Sequence, residues 1–312
     1  MSTVSEQVNL SLPGGVDAGL SQKQLADKYG LSVSGARPGL VAYTKQLWGR
    51  RHFIVAFATA RLVAQYTTAK MGQVWQVVTP LLNCAVFYLV FGVILSGNNT
   101  PKYIPWLCVG VFIFQFIQSA VQSGTGAISY NLGLIRALHF PRACMPIAFT
   151  VIQLQQLLIS MVVLVAIVLS NDLMPGATWL QVIPALVLLS FFNTGLALMM
   201  ARIGAKTSDV SQLMPFILRT WMYLSGVMYT ISDHVQKWPV WIQNLVQANP
   251  ASVYMELVRH AMIPSIYSPH KYPSNHLTLP GHIWAMAVGW AVVAFVIGYV
   301  FFWKAEEEYG RG

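Results

Sequence analysis

Six long apolar segments follow one another along this 312-residue chain from Gly72 onward, and they decide its class before any motif is considered. Five of them, 74–95, 104–121, 143–170, 179–201 and 283–303, carry no charged residue over a stretch long enough to cross a bilayer, which takes about 20 residues of helix. The second is expected to continue as helix to about residue 129. The remaining segment, 210–230, carries one charge, Arg219. Charged residues make up 9% of the chain, against about 25% in soluble domains. A soluble domain has no use for that much unbroken apolar helix. The expectation is an all-α integral membrane protein with six transmembrane helices, whose function lies in what it moves, anchors or modifies in the bilayer.

The net charge of +9 is not a nucleic-acid signal, because its distribution follows the membrane. With the N-terminus inside, fourteen Lys and Arg residues fall on the cytoplasmic side and four, Lys102, Lys237, Arg259 and Lys271, fall outside. That bias predicts a multi-pass protein of the cytoplasmic (inner) membrane with both termini in the cytoplasm. Residues 1–40 are polar and rich in Ser, Gly and Gln, so no cleavable signal peptide is expected. Cys84, Cys108 and Cys144 lie in or beside apolar segments without metal or redox spacing, and read as small buried hydrophobes.

Residues 1–39 read as a flexible cytoplasmic tail and 40–312 as the transmembrane domain. Within 40–70, Leu47 and Trp48 precede Arg50, Arg51 and His52, then a short apolar run and Arg61. The run is too short to span. Aromatic residues beside arginine suit a helix lying in the cytoplasmic interface, with Arg50, Arg51 and Arg61 reaching lipid headgroups. The loop 131–142 is short and basic, yet Leu134, Ile135, Leu138 and Phe140 are apolar. With Arg136, His139 and Arg142 around them, they suggest a docking surface for another protein. The loop 202–211 offers Lys206 and Asp209 as weaker contacts. On the outer side, 238–263 is amphipathic around Trp238, Trp241, Tyr254 and Arg259, and Pro250 divides it into two short helices, with Asn249 placed to cap the second. Non-crossing helices at membrane depth must be buried against protein or line a wet cavity. The expectation is a re-entrant pair acting as an outer gate.

The chain has no Gly-x-x-x-x-Gly-Lys-Ser/Thr loop and no Gly-Lys dipeptide, so no recognisable ATP site of its own. The spans carry no carboxylate to bind a coupling ion. His270, His276 and His282 have no zinc spacing, and no metal site is expected. Arg219, the one ionisable side chain inside a span, should face protein or water. Phe87, Phe91, Phe112, Phe116, Tyr223 and Tyr229 lie deeper in the spans, at spacings that can make stripes.

Arg61-Leu-Val-Ala-Gln-Tyr66, Met71-Gly72-Gln-Val-Trp75 and Pro80-Leu81 together resemble the first-span signature of ABC-2-type polysaccharide exporter permeases of the Wzm type. Asn131-Leu-Gly-Leu-Ile135-Arg136, Phe140-Pro141-Arg142 and Pro146 are similar to that family's loop before span three. Ser208-Asp209-Val210, residues 223–229, and Asn249-Pro250 through Arg259 continue the likeness, in order, over about 45–304. Members often carry Arg-Asp before the residue equivalent to Leu62 and a base before Tyr66. Here Ala60-Arg61 and Gln65 stand there. The resemblance implies a homodimer bound to two copies of an ABC ATPase subunit, which would bind ATP and Mg while this chain holds no cofactor and is no enzyme. It implies export of a polyprenyl-diphosphate-linked glycan, whose headgroup Arg219, with Arg50, Arg51 and Arg61, would help guide, and whose sugar rings would slide along Phe87, Phe91, Phe112, Phe116, Tyr223 and Tyr229. The ending Ala305-Glu-Glu-Glu-Tyr309-Gly-Arg-Gly312 is most similar to actinobacterial members and points to lipid-linked galactan for cell-wall arabinogalactan. O-antigen or teichoic-acid polymer, a drug exporter of the same fold, and a membrane-embedded glycosyltransferase or scaffold are the alternatives.

Overall fold

The computed structural model describes residues 24, 28–29, 38–67, 71–94, 100–137, 140–207, 209–230, 239–272, 277, 279 and 281–306. The chain divides into a unit of residues 1–38 and a unit of 39–312. In the first, Gln24 and Lys28 are helical, and the Lys28 ammonium lies 5.5 Å from the centre of the Tyr29 ring.

The described residues of the second unit contain helices and no strand. They are α1 (Leu40–Gly49), α2 (Arg51–Thr67), α3 (Trp75–Phe87), α4 (Tyr103–Thr125), α5 (Leu132–Ala137), α6 (Cys144–Ser170), α7 (Val182–Lys206), α8 (Val210–Leu224), α9 (Val240–Gln247), α10 (Pro250–Met262) and α11 (Ile283–Lys304). Proline placement explains much of the local detail. Pro146 and Pro250 lie in first turns, where the missing N–H has no intrahelical partner to lose. Pro80 lies inside α3 and removes one donor from its ladder. Past Phe87 that helix continues with wider, π-helical turns over Tyr88–Ile94.

Five helical stretches are long and apolar enough to cross a bilayer: Trp75–Ile94, Tyr103–Thr125, Cys144–Ser170, Ala177–Lys206 and Ile283–Lys304. Their apolar windows are covered very unequally. That of α4 is 78% buried within the protein and that of α3 only 11%. Thus α4 is the hub, wrapped by α6, α7, α8 and α10, while α3 presents most of its circumference outward. The most extensive helix pairing is α7 with α11. It depends on missing side chains. A Cβ on Gly298 would fall 2.1 Å from the Gly195 carbonyl oxygen, and one on Gly195 2.3 Å from the Ala294 carbonyl. Small residues at such a crossing let backbones approach, which is how helices gain contact where lipid is as apolar as their side chains.

The segment 210–230 departs from the sequence expectation. Its helix, α8, has 15 residues, about 22 Å at 1.5 Å per residue, short of the roughly 30 Å hydrocarbon core. It stops at Ser225 because Gly226 takes φ +64°, a left-handed conformation natural to glycine. Beyond it the Ser225, Gly226 and Val227 carbonyls accept bonds from α10. The span is therefore a short helix ending in a buried turn, and only five helices reach spanning length among the described residues.

Gly298→Val is expected to cost about 2 kcal/mol or more, the range for overpacking a filled contact. Thermal unfolding in detergent reads this, and an unchanged midpoint would contradict the close α7–α11 crossing.

Candidate functional site

One end of the bundle gathers the basic residues. There Tyr43 of α1, 1% exposed, is sunk among Ile135, Ala143, Met145, Leu198, Ala201, Tyr299 and Phe302. Its hydroxyl donates to Glu306 Oε2 at 2.8 Å and accepts from the Ala143 N–H at 3.1 Å. The Arg142 backbone N–H donates to Glu306 Oε1 at 3.0 Å, and its guanidinium donates to the Glu306 carbonyl. One buried carboxylate thus ties together α1, the segment before α6 and the residues just past α11. Burial pushes the Glu306 carboxyl above the usual range, and the bonds from Arg142 and Tyr43 offset only part of that. Nearby, Ser129 Oγ donates to the Gly204 carbonyl at 3.0 Å, which brings the end of α7 beside the chain leaving α4.

The proposed coupling residues converge on this end, but not uniformly. Ile135 is 7% exposed and belongs to the Tyr43 cluster, and Leu134 and Phe140 are half-buried against it. Arg136, Lys206 and Asp209 are exposed and Arg142 half-buried. Leu138 and His139 lie outside the described residues. Arg50, Arg51 and Arg61 are exposed along α1 and α2, and Arg219 is exposed on α8.

A cavity of about 120 Å³ lies between α2, α3, α4 and α6. It joins amides to aromatic faces: Gln76, Gln115, Gln153 and Gln156 with Tyr66, Trp75, Phe112 and Phe116. Gln76 is 5% exposed, and neither its amide oxygen nor its nitrogen has a protein partner; Gln115 Oε1 has none either. Gln156 Nε2 donates to the Tyr66 hydroxyl at 3.2 Å. Buried amides normally find partners, so unpartnered ones facing a cavity form a polar site in an apolar wall. Of the six candidate path aromatics, Phe112 and Phe116 line this cavity. Phe87 and Phe91 pack half-buried on the main core. Tyr223 is exposed, and its carbonyl accepts the Tyr229 hydroxyl at 2.7 Å. The glutamines escaped the sequence reading because they are uncharged. A search for neutral amides inside apolar spans finds them.

At the opposite end, α10 is held inside the protein. Arg259 is 1% exposed. Its Nη1 donates to Glu256 Oε1 at 2.8 Å and to the Gly226 carbonyl at 3.3 Å, Nη2 to the Val227 carbonyl at 3.0 Å, and Nε to the Trp106 carbonyl at 3.2 Å. The guanidinium carbon lies 3.5 Å from the centre of the Trp106 ring. Glu256 Oε2 accepts the Tyr267 hydroxyl at 2.5 Å. Asn249 caps α10 by accepting from Ala251 N at 3.1 Å and also accepts from Trp221 Nε1 at 3.0 Å. Pro250, half-buried, is the first residue of the helix. Tyr254 is buried and donates to the Ala287 carbonyl at 2.8 Å. Of the outer-gate candidates, Trp241 is exposed, and Trp238 lies outside the described residues. Arg259, counted by sequence among the outer charges, is enclosed: apart from Glu256 one turn back, its partners lie on two other segments and leave no periodic trace.

Among the described residues no three His, Cys, Asp or Glu side chains come together as a metal site, and the three cysteines are free and buried.

The family model for the ABC-2 type transporter matches residues 54–263. The O-antigen export system permease protein RfbA of Myxococcus xanthus is 24% identical over 195 residues, which cover 62% of this chain and 74% of that protein. A protein of the same description from Klebsiella pneumoniae is 21% identical over 190 residues, covering 61% of this chain and 73% of its own.

Two substitutions check this geometry. Arg259→Met leaves Glu256 and three carbonyls without their donor. It is expected to cost about 3–5 kcal/mol, as breaking a buried ion pair does, with Arg259→Lys recovering little because a lysine lacks the fork. The yield of monodisperse protein reads both, and a normal yield for the methionine variant would contradict the clamp. Because folding raises the Glu306 carboxyl, its contribution is full in acid and is lost as pH rises through the folded value. Glu306→Gln keeps the geometry and should flatten that slope in pH-dependent thermal unfolding. An identical slope would contradict it.

Proposed function

The chain belongs to the ABC-2 type transporter family, and on that footing we propose that it carries a lipid-linked polysaccharide of the O-antigen class across the cytoplasmic membrane, as a homodimer driven by two copies of an ATPase subunit. It is a multi-pass membrane permease, related to O-antigen export permeases. The family's membrane domain has no nucleotide site, which implies a partner ATPase. The relatives favour an O-antigen type of polymer over the galactan that the C-terminal sequence suggested.

The observation that carries the substrate class is the cavity of glutamines and aromatics. Sugar rings present hydroxyls along the edge and C–H groups on the face. Amides serve the first, giving and accepting hydrogen bonds, and aromatic faces serve the second. Neutral amides suit a repeating polymer, because no single charged contact arrests it. Trp75 of α3, the helix least covered within one protomer, lines the cavity.

A second copy answers a different need. The outer face of α8 exposes Leu213, Phe216, Ile217 and Tyr223 around Arg219. An arginine in the hydrocarbon core is costly when it faces lipid. In our reading α8 and α3 of two copies flank the path, with Arg219 turned toward it and Arg61 guiding the diphosphate headgroup. The basic end, with Arg136 and Lys206 outward, faces the cytoplasm and the ATPase. The α9–α10 pair closes the outer end, with α10 as the fixed part and α9, bearing exposed Trp241, as the part free to move.

Three outcomes test this. Depletion of the permease is expected to leave lipid-linked polymer on the inner face, and polymer still reaching the outer face would refute the reading. Gln76→Leu should lower export about tenfold, the effect of losing one or two hydrogen bonds, in a complex that still assembles. Export at the normal rate would remove the cavity from the path. Arg136→Glu should weaken permease stimulation of ATP hydrolysis without changing permease yield. Unchanged stimulation would move the coupling contact elsewhere.

A further inference from the structure

Where α1 and α2 lean against α6, α7 and α11, a groove of about 430 Å³ runs along the flank of the protein. Leu47, Ile54 and Val55 form one wall, and Ile147, Phe191 and Phe295 the other. The hydroxyls in the lining are already engaged. Thr44 Oγ1 donates to the Leu40 carbonyl at 2.9 Å and meets the Tyr299 hydroxyl at 2.8 Å. Ser190 and Thr194 each donate one turn back along α7, at 2.7 Å. The groove therefore offers hydrocarbon contact and little else.

Its mouth is different. Arg51 is the one charged residue of the lining, and no acid accompanies it. Its guanidinium carbon lies 5.5 Å from the centre of the exposed Trp48 ring, and Nη1 donates to the Trp48 carbonyl at 3.2 Å. Lys45 and Arg50 are exposed close by in sequence. Arginine beside tryptophan is the pairing found at headgroup level. From there the groove descends to Phe191, about 22 Å of helix from Lys206, which reaches the middle of a hydrocarbon core roughly 30 Å thick. A cation at the rim above an apolar slot one leaflet deep has the shape and polarity of a phospholipid.

The groove and the glutamine cavity have no lining residue in common. Helix α6 contributes to both, with Ile147 in one and Gln153 and Gln156 in the other. With the path placed at the glutamine cavity, as the export reading has it, a lipid seated here lies outside the transported stream. We propose that this groove binds one acyl chain of a resident anionic phospholipid, whose phosphate pairs with Arg51. The lipid fills the space between α2 and α7 and braces the helix pair that carries Tyr43. This inference goes beyond the export reading and does not depend on which polymer is carried.

The test uses the permease–ATPase complex in nanodiscs and two probes with the same photoreactive acyl chain, one phosphatidylglycerol and one phosphatidylcholine. The phosphatidylglycerol probe is expected to cross-link Ile147, Phe191 or Phe295, with the phosphatidylcholine probe about fivefold weaker, the difference one cation makes near a lipid surface. Arg51→Gln should remove that preference. Thr194→Trp fills the slot and should abolish labelling by both. Should that variant fail to fold, Val55→Trp fills it from the exposed side of α2. Equal labelling by the two probes, labelling that survives a filled groove, or a cross-link across the groove to a second copy would each overturn the proposal. Export of polymer is not part of the readout, so this result and the export assay fail independently.

Discussion

The desolvated guanidinium of Arg259 is the constraint on which the far end of this protein depends. A charge this enclosed survives only if every side of it is answered, and here a carboxylate, three backbone carbonyls and an aromatic face answer it. Two of the carbonyls are those that a broken helix leaves open; the third, of Trp106, belongs to α4. α8 ends at Leu224, and beyond it the Gly226 and Val227 carbonyls turn inward to the arginine. A helix that stops inside hydrocarbon is tolerated only when its freed backbone groups are re-satisfied by protein. Arg259 supplies the donors, Gly110 leaves room for it, since a Cβ there would lie 2.3 Å from Nη2, and the short α10 becomes part of the core instead of a loose cap.

The opposite end is built around the buried carboxyl group of Glu306. Glu306 binds α1, Arg142 and the end of α11 into one body. A force applied to the chain before α6 is therefore shared by the α1–α2 pair and by α11, which in turn is pressed against α7 through Gly195 and Gly298. Between these two stiff ends lie the sparsely covered α3 and the amphipathic α8. A transporter needs that division. Fixed ends keep the bilayer sealed and transmit work, while the exposed faces of α3 and α8 are the surfaces that our proposal assigns to a second copy and a substrate.

Much of the architecture was legible in the chain. Uninterrupted apolar runs fall on the five helices that are long and apolar enough to span, because length and apolarity are what a bilayer requires of a span. Pro250 and Asn249 marked the start of α10, since their geometry is local. What depended on partners far away in sequence was hidden. Residues 223–230 are apolar enough to pass for the end of a span, and only the carbonyl contacts to Arg259 reveal a turn. Ile135 reads as an exposed apolar residue of a loop until Tyr43, distant in sequence, covers it. The cavity was hidden for another reason: glutamines in a span carry no charge to draw notice, and Gln76, Gln115 and Gln156 come from three different helices.

The central claim is that this permease moves a sugar polymer on a lipid anchor when its ATPase turns over. The most direct measurement places the purified permease and its ATPase in proteoliposomes whose lipid-linked polysaccharide is accessible only from the nucleotide-facing side. The opposite side is then probed with a glycosidase that cannot cross the membrane. The account expects polymer to become sensitive to the enzyme when ATP is added, and to stay protected with a non-hydrolysable nucleotide. Polymer that stays protected while the reconstituted complex hydrolyses ATP would contradict it.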